Sequence, residues 1–477
     1  MRRALLPRRL QGMPVQDRAR PTREACLQAG VETGMKPMYM IATRAGSDRS
    51  AVEHAVSRYY RDWGISVVSL GGSRSSADLT KGLNSFTTRA LYVIYLANSV
   101  DADKTIIPST TSPNTVVHVV GKAKIRNMRL EEIRREIERA RASLRMRLYY
   151  EGGFYKFKPS SSSARPLVED PEVYHDILAF RVPGFMSGLV GLKEGWYIAL
   201  RDIGGRHIIY SEGRPAGFLR IRDDLGFDKY TGLQPREIDL EEMARINRDY
   251  ILWLVDETAA WIRDLGSFDT VLVPWSGGKD STFILQLAVR EFGKSRVVPV
   301  FVDIDVDFPQ NKVFVGEVSE KLGVGVVVKR LELKPHLPLK GFPTHEDRWC
   351  SRLKVSAIEE AYREVCPGDA KCLVLVGDRD VESESRSQKP PVFSRGNLTF
   401  AYPLKQWSTL LLQLASITLG VSLNPLYELG FYRIGCYICP SLRGWEVEII
   451  KNSPVLNNLR EDALFKSFLE KRTTSSP

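Results

Sequence analysis

Apolar residues recur along the chain in two rhythms, and the changes of rhythm divide it into segments. Residues 38–42 form a short apolar run that predicts a strand. Residues 48–63 have helical spacing, with Asp48 placed as an N-cap. Residues 65–70, 90–97 and 116–120 read as further strands, and 77–86 as a weak helix between them. This alternation predicts a small α/β domain over 38–157. A helix over 129–149 completes it. Its apolar stripe, Leu130, Ile133, Ile137, Ala140, Leu144 and Leu148, falls at spacings of three and four, and its other face is mostly Arg and Glu.

The flanking segments follow other rules. Residues 1–37 hold no period and are rich in Pro, Arg and Gln, which predicts a basic, poorly structured extension. Residues 158–165 contain Pro159 and four consecutive serines, a linker composition. Between 180 and 221 short apolar runs are broken by Gly184, Gly188, Gly191, Gly195, Gly204, Gly205 and Gly213. Short strands with glycine turns predict a small β-barrel-like domain over 166–235. A long helix over 240–265 leads into the last domain, 240–477. There strands at 270–274, 297–302 and 324–331 alternate with helices, the pattern of a parallel sheet covered by helices on both faces. The fold class is therefore α/β, and no internal repeat is present.

Composition narrows the function classes. The 477 residues are 43% hydrophobic and 26% charged, an ordinary globular balance. The longest apolar candidate, 410–423, is too short for a membrane span and carries Gln413. Six cysteines are too sparse for a disulfide scaffold, and the basic start lacks an apolar stretch of signal-peptide length. A cytoplasmic protein with reduced thiols and no membrane partner is expected. The net charge is +11, and it is concentrated. Residues 1–37 hold eight Lys/Arg against three Asp/Glu, and residues 121–149 hold ten against four. Such an excess favours a polyanion such as tRNA or another RNA; a solvated helix face is the plainer alternative.

The sharpest chemical signal is Ser276-Gly277-Gly278-Lys279-Asp280-Ser281, set between an apolar strand and a helix. Two glycines let the backbone approach an anion, and the free N–H groups of the helix start point at it. Ser276 and Ser281 add hydroxyl donors, and Lys279 a point charge. The spacing is not of the Walker type. Downstream stand Val302-Asp303-Ile-Asp305-Val-Asp307-Phe308-Pro309 and Gly377-Asp-Arg379-Asp-Val-Glu382-Ser383-Glu-Ser-Arg386. Then come Tyr402-Pro403-Leu404-Lys-Gln-Trp407-Ser408 and a stretch from Asn424-Pro425-Leu426-Tyr427 to Cys436-Tyr-Ile-Cys439-Pro440. Over about 269–445 these motifs resemble, in an archaeal-like form, the phosphoadenosine phosphosulfate (PAPS) reductase family of the PP-loop ATP pyrophosphatase, or adenine nucleotide α-hydrolase, superfamily. The barrel segment loosely resembles a PUA domain, a small RNA-binding module.

The resemblance implies an enzyme that binds ATP, PAPS or adenosine phosphosulfate (APS). Ser276, Gly277, Gly278, Lys279, Asp280, Ser281, Asp303, Gly377, Arg379, Glu382, Ser383 and Arg386 would hold the nucleotide, with Lys279, Asp303 and Arg379 as catalytic candidates. Asp303 falls at the carboxyl end of its strand, where open α/β sheets bind ligands. The planar guanidinium of Arg379 or Arg386 suits a phosphate or sulfate, although ion pairs within the motif compete. Mg²⁺ is the expected companion of the nucleotide. Cys350, Cys436 and Cys439 are the candidate metal ligands, for a [4Fe–4S] cluster with zinc as the alternative; a redox disulfide or plain packing stays open. Cys366 and Cys372 form a separate pair that could supply a fourth ligand, although Cys372, at a strand start, reads rather as a core residue. The sulfonucleotide reductases carry a nucleophilic cysteine in a C-terminal tail, and this chain has no cysteine after Pro440. A thiol nucleophile is then Cys436 or Cys439, or comes from elsewhere. The competing reading is ATP-dependent thiolation or adenylation of an RNA base, with a thiol or sulfur-donor protein as partner; a nucleotide- or RNA-binding module without turnover is the third. With the charge excess outside the last domain, removal of residues 1–235 is expected to abolish tRNA binding and to spare ATP binding.

Overall fold

The computed structural model describes residues 35–159, 165–202, 205–222, 224–230 and 232–474. The expected extension 1–37 and linker 158–165 lie largely outside these residues. The first sheet contains β1 (Tyr39–Thr43), β2 (Ser66–Ser69), β3 (Tyr92–Asn98) and β4 (Thr115–Val120), all parallel, in the order β2-β1-β3-β4. β1 and β3 are buried along their whole lengths, which explains why they are apolar up to Thr43 and Asn98 at their carboxyl ends. The helices Gly46–Tyr59 and Leu130–Arg145 pack against each other beside this sheet.

The second helix stops at Arg145, four residues before the expected end. Leu148–Glu151 (β5) instead pairs with Phe154–Phe157 (β6) in a hairpin. Its turn is Gly152-Gly153, with φ of 61° and 86°, values that glycine adopts without penalty. Leu148 continues the helical stripe by coincidence of spacing, so periodicity concealed the break.

The middle segment is an antiparallel meander: β7 (Asp176–Val182), β8 (Gly195–Arg201), β9 (His207–Ser211), β10 (Arg214–Arg220) and β11 (Gly226–Lys229), paired in sequence. Among the described residues no ladder joins β7 to β11, so the sheet is open where a barrel was expected. The expected long helix over 240–265 is divided into Leu240–Ile246 and Arg248–Arg263. The divider is Asn247. Its buried amide accepts from the Phe157 N–H at 2.7 Å and donates to Tyr155 O and Met243 O at 3.0 and 2.8 Å. Helix continuity is given up so that the side chain can fasten β6 to this helix pair.

The last sheet has the order β14 (Val327–Leu331), β13 (Val297–Ile304), β12 (Thr270–Pro274), β15 (Cys372–Leu375), β17 (Leu398–Ala401), β16 (Val392–Arg395). Only the β16–β17 pair is antiparallel. The chain steps outward from β12 to β14 and then returns to the other side of β12. The crevice above the carboxyl ends of β12 and β15 is therefore the topological switch point. The α/β class is as expected, and helices flank the sheet.

Two readings of side chains change. Of the ten cations in 121–149, Arg141, Arg145 and Arg147 are interior. Arg141 pairs with Asp380. Arg145 donates to Gln406 Oε1 at 2.9 Å and to Val173 O, and Arg147 donates to Thr115 O at 2.7 Å and to Pro113 O. They bind the molecule together and do not form a basic face. Reduced thiols are not found throughout either, since Cys366 and Cys372 are joined by a disulfide. One continuous apolar core runs from Ile41, Ile94 and Ile133 through Ile177 and Trp261 to Val271, Leu373 and Leu410. The segments upstream of β12 are thus fused to the last sheet through shared packing.

Candidate nucleotide site

The loop after β12 is built as its sequence requires. The Trp275 indole donates to Thr282 Oγ1 at 2.9 Å, fixing the strand end against the helix Lys279–Phe292. Gly277 has φ 73°, and Gly278 is the helix N-cap with no side-chain cap. The helix start, aided by the helix dipole, is the place for an anion, although the Lys279 N–H there is already donated to the Tyr427 hydroxyl. Ser276 and Ser281 hydroxyls lie 3.1 Å apart at the rim. A Cβ on Gly277 would stand 1.9 Å from Asn311 Oδ1. Asn311 cannot retreat easily. Its amide donates to Ser276 O at 3.2 Å and Asp307 Oδ2 at 2.7 Å, and its Oδ1 accepts from Asn424 Nδ2 at 2.9 Å. Gly277→Ala is expected to combine about 1–2 kcal/mol of left-handed backbone cost with displacement of Asn311. Adenine-nucleotide affinity should fall about tenfold or more by calorimetry, roughly 1.4 kcal/mol, while the melting profile stays cooperative. Unchanged affinity would remove Gly277 from the site.

Lys279 and Arg379 are both engaged by Asp280. The Lys279 ammonium sits 3.0 Å from Asp280 Oδ2, and its backbone N–H donates to the Tyr427 hydroxyl at 3.0 Å. Burial works against its charge, yet Asp280 more than compensates and holds its pKa above the usual lysine value. Arg379, 2% exposed, donates through Nε to Asp280 Oδ1 at 2.5 Å and lies 3.5 Å from Asp176 on β7. Burial opposes ionisation of Asp280, but Arg379 and Lys279 lower its pKa below the ordinary carboxylate value. Asp280 is thus a partly buried anion shared by two cations at the first turn of the loop helix. Gly377 has a spatial reason: a Cβ there would come 2.9 Å from the Asp280 carbonyl carbon.

The rest of the motif is self-contained. Glu382 accepts from the Arg379 N–H at 3.0 Å and pairs with Arg386, which also lies 3.2 Å from Asp378. Ser383 Oγ accepts the Arg386 N–H at 3.3 Å. Arg386 is therefore committed to ion pairs, although it keeps a partly exposed edge. Asp303 meets the exposed Lys312 at 2.5 Å. Asp305 caps the Leu333 and Lys334 N–H groups, and Asp307 accepts from Phe308 N–H and Asn311. Burial raises the Asp307 pKa. Of the three alternating acids, only Asp303 is clear of backbone work.

The cysteines gather without forming a ligand set. Cys350, Cys436 and Cys439 are free thiols in one apolar cluster. Among the described residues, no three His, Cys, Asp or Glu side chains are grouped to hold a metal ion. The thiols have basic neighbours instead. Lys354 Nζ lies 3.1 Å from Cys436 Sγ, and Arg348 Nη2 lies 3.9 Å from Cys439 Sγ. The residues as placed do not fit a [4Fe–4S] cluster or a zinc site. Burial pushes the Cys436 thiol up to about 11, against the opposing pull of Lys354. Cys436 and Lys354 line a cavity of about 170 Å³ together with Ser276, Asp307, Asn311 and the ends of β12 and β13.

Sequence reading missed Asn311, Asp176 and Asp380 as parts of this site. Asn424 and Tyr427 stood in a quoted motif without a role; here they hold the Gly277 carbonyl, at 3.4 Å, and the Lys279 N–H. Residues 270–442 match the family model described as "Phosphoadenosine phosphosulfate reductase domain". The chain is 32% identical over 186 residues to "Uncharacterized protein MJ0066" of Methanocaldococcus jannaschii, 38% of each protein. It is 26% identical over 309 residues to "Uncharacterized protein MJ0973" of the same organism, covering 62% of this chain and 68% of that one. The match thus spans well under half of the first relative's length. A crystal structure of phosphoadenylyl-sulfate (PAPS) reductase from Candida auris superposes on 40% of this chain and 97% of its own, at 18% identity and a TM-score of 0.30.

Proposed function

We propose, proceeding from the phosphoadenosine phosphosulfate reductase domain at residues 270–442, that this protein is an enzyme of sulfur chemistry on an adenine nucleotide. The reading is supported above all by one juxtaposition. The Cys436 thiol, 3.1 Å from the Lys354 ammonium, lines the same cavity as Ser276 of the anion loop. The loop N–H groups and the Ser276 and Ser281 hydroxyls take the nucleotide's phosphate or sulfate oxygens. Lys279 and Arg379 act behind the loop, holding Asp280 and with it the helix start.

With a 5′-phosphosulfate in the loop, Cys436 is the nucleophile, because its thiol lines the cavity that Ser276 also lines. Its thiolate forms a bond to the sulfate sulfur. The bond from that sulfur to the bridging oxygen breaks, and the nucleotide phosphate leaves with the electron pair. The product is a cysteine S-sulfonate, which an external dithiol reduces by displacing sulfite and becoming a disulfide. Lys354 stabilises the thiolate before attack. Adenylation of an RNA base remains the second reading, but the interior placement of Arg141, Arg145 and Arg147 removes part of the charge that suggested it.

The test is calorimetric titration of the full chain with ATP, APS and PAPS, followed by measurement of sulfite release with a dithiol. Binding of at least one nucleotide and thiol-dependent sulfite are expected. Absence of binding by all three at millimolar concentration would overturn the nucleotide reading. Binding without sulfite from APS or PAPS would overturn the sulfur step.

A further inference from the structure

The Gly377–Arg386 motif faces two ways. Arg379 is in extended backbone, with φ −118° and ψ 148°, so successive side chains leave on opposite sides. Arg379 reaches the nucleotide loop through Asp280. Asp380, fully buried, reaches the other way, into the segment upstream of β12. There it meets Arg141 on the helix Leu130–Arg145, in an ion pair whose two side chains are 4% and 1% exposed. Lys405 lies 2.7 Å from its other oxygen, and Gln406 donates to it at 2.6 Å.

Arg141 is itself held by the N-terminal unit. Its guanidinium carbon lies 4.5 Å from the Trp63 ring centre, 5.4 Å from that of Tyr39 and 6.0 Å from that of Tyr60. Such an aromatic enclosure holds a cation in place after it has lost its water. Tyr39 also accepts from Gln406 Nε2 at 2.8 Å. A continuous line of contacts runs from Trp63 and Tyr39 through Arg141, Asp380, Arg379 and Asp280 to the turn that binds the anion.

We propose that Arg141 is a positioning residue for the nucleotide site: through Asp380 it fixes the backbone of Arg379, and the N-terminal α/β unit thereby sets nucleotide affinity. This rests on the loop being the nucleotide site. Neither the basic stripe of the helix nor the resemblance to a family over 269–445 predicts it, because Arg141 lies outside that span.

The test compares Arg141→Met with Arg134→Met in the full chain. Arg134 lies on the same helix but pairs with Glu131 and Glu138 near the surface. Asp380 keeps Lys405 as counter-charge in Arg141→Met, so folding is expected to survive. Calorimetry with ATP and PAPS should show at least a tenfold weaker dissociation constant for Arg141→Met and a change under twofold for Arg134→Met. Arg141→Lys should fall between wild type and Arg141→Met, and it carries the comparison if the methionine variant does not fold. Hydrogen exchange should quicken in residues 276–281 and 377–386, where a purely local packing role would quicken only the helix and β1. Folded Arg141 variants with wild-type affinity and unchanged exchange at the loop would overturn the proposal. If the wild type binds neither nucleotide, the nucleotide reading fails, and the exchange at 276–281 decides the positioning role alone.

Discussion

A chain reduced to residues 236–477 is expected to lose cooperative folding and all measurable adenine-nucleotide binding. The sequence reading led to the opposite expectation, because the recognisable motifs begin only at β12. The structure shows what the cut would remove. Asp176 on β7 accepts from the Thr409 N–H and hydroxyl at 2.8 and 2.6 Å. The Ala179 N–H donates to Gln413 Oε1 and its carbonyl accepts from Gln413 Nε2, both at 3.0 Å. The Val381 carbonyl loses Arg201, and Asp380 loses Arg141. The helix Thr409–Leu419 is buried along much of its length, partly against β7. Removing that cover exposes apolar surface of the helix, at about 25 cal/mol per Å², and strips these polar partners, a loss set against a stability of only roughly 5–15 kcal/mol for an ordinary domain. Near-ultraviolet circular dichroism and calorimetry with ATP on the fragment would check this. A cooperative melt with wild-type affinity would show that the downstream sheet is autonomous.

Replacement of Cys436 by serine is expected to lower turnover of a phosphosulfate by at least about 10³-fold, since the attacking atom is gone. Binding should change by less than threefold, because the anion contacts come from the loop. The pH profile carries a sign. Burial raises the Cys436 pKa to about 11, so at neutral pH the thiol is almost wholly protonated. A thiolate-dependent rate should therefore climb about tenfold per pH unit between pH 7 and 9. Lys354→Met should depress the rate across that range by removing the cation that opposes the upward shift. Turnover that survives in Cys436→Ser, or a rate flat from pH 7 to 9, would move the sulfur step away from this thiol.

The anion loop was legible because everything it needs is local. Gly277, Gly278 and the helix start are contiguous, and their conformations follow from the absence of Cβ and from free N–H groups at a helix end. Most buried strands were legible for a related reason: β1, β3, β12 and β13 each carry an apolar run of at least three residues. The hairpin β5–β6 was not, because Leu148 satisfies helical spacing as well as strand burial. The division at Asn247 was not, because its partners Tyr155 and Phe157 lie some 90 residues away.

What the sequence determined by itself is a set of residue types and their local geometry: a phosphate-type loop, a parallel sheet to carry it, cysteines downstream of it, and an excess of positive charge. What only the tertiary structure decided is the use of each polar group. Lys279 and Arg379 carry the charges expected of an anion site, yet both are directed to Asp280. Arg141, Arg145 and Arg147 look like surface cations on a helix, yet each is interior and matched. A charged side chain is tolerated inside only where a partner from elsewhere in the chain meets it, because desolvation costs more than any local preference returns. The identity of that partner depends on which distant segments are packed together, and no local pattern of residues encodes it.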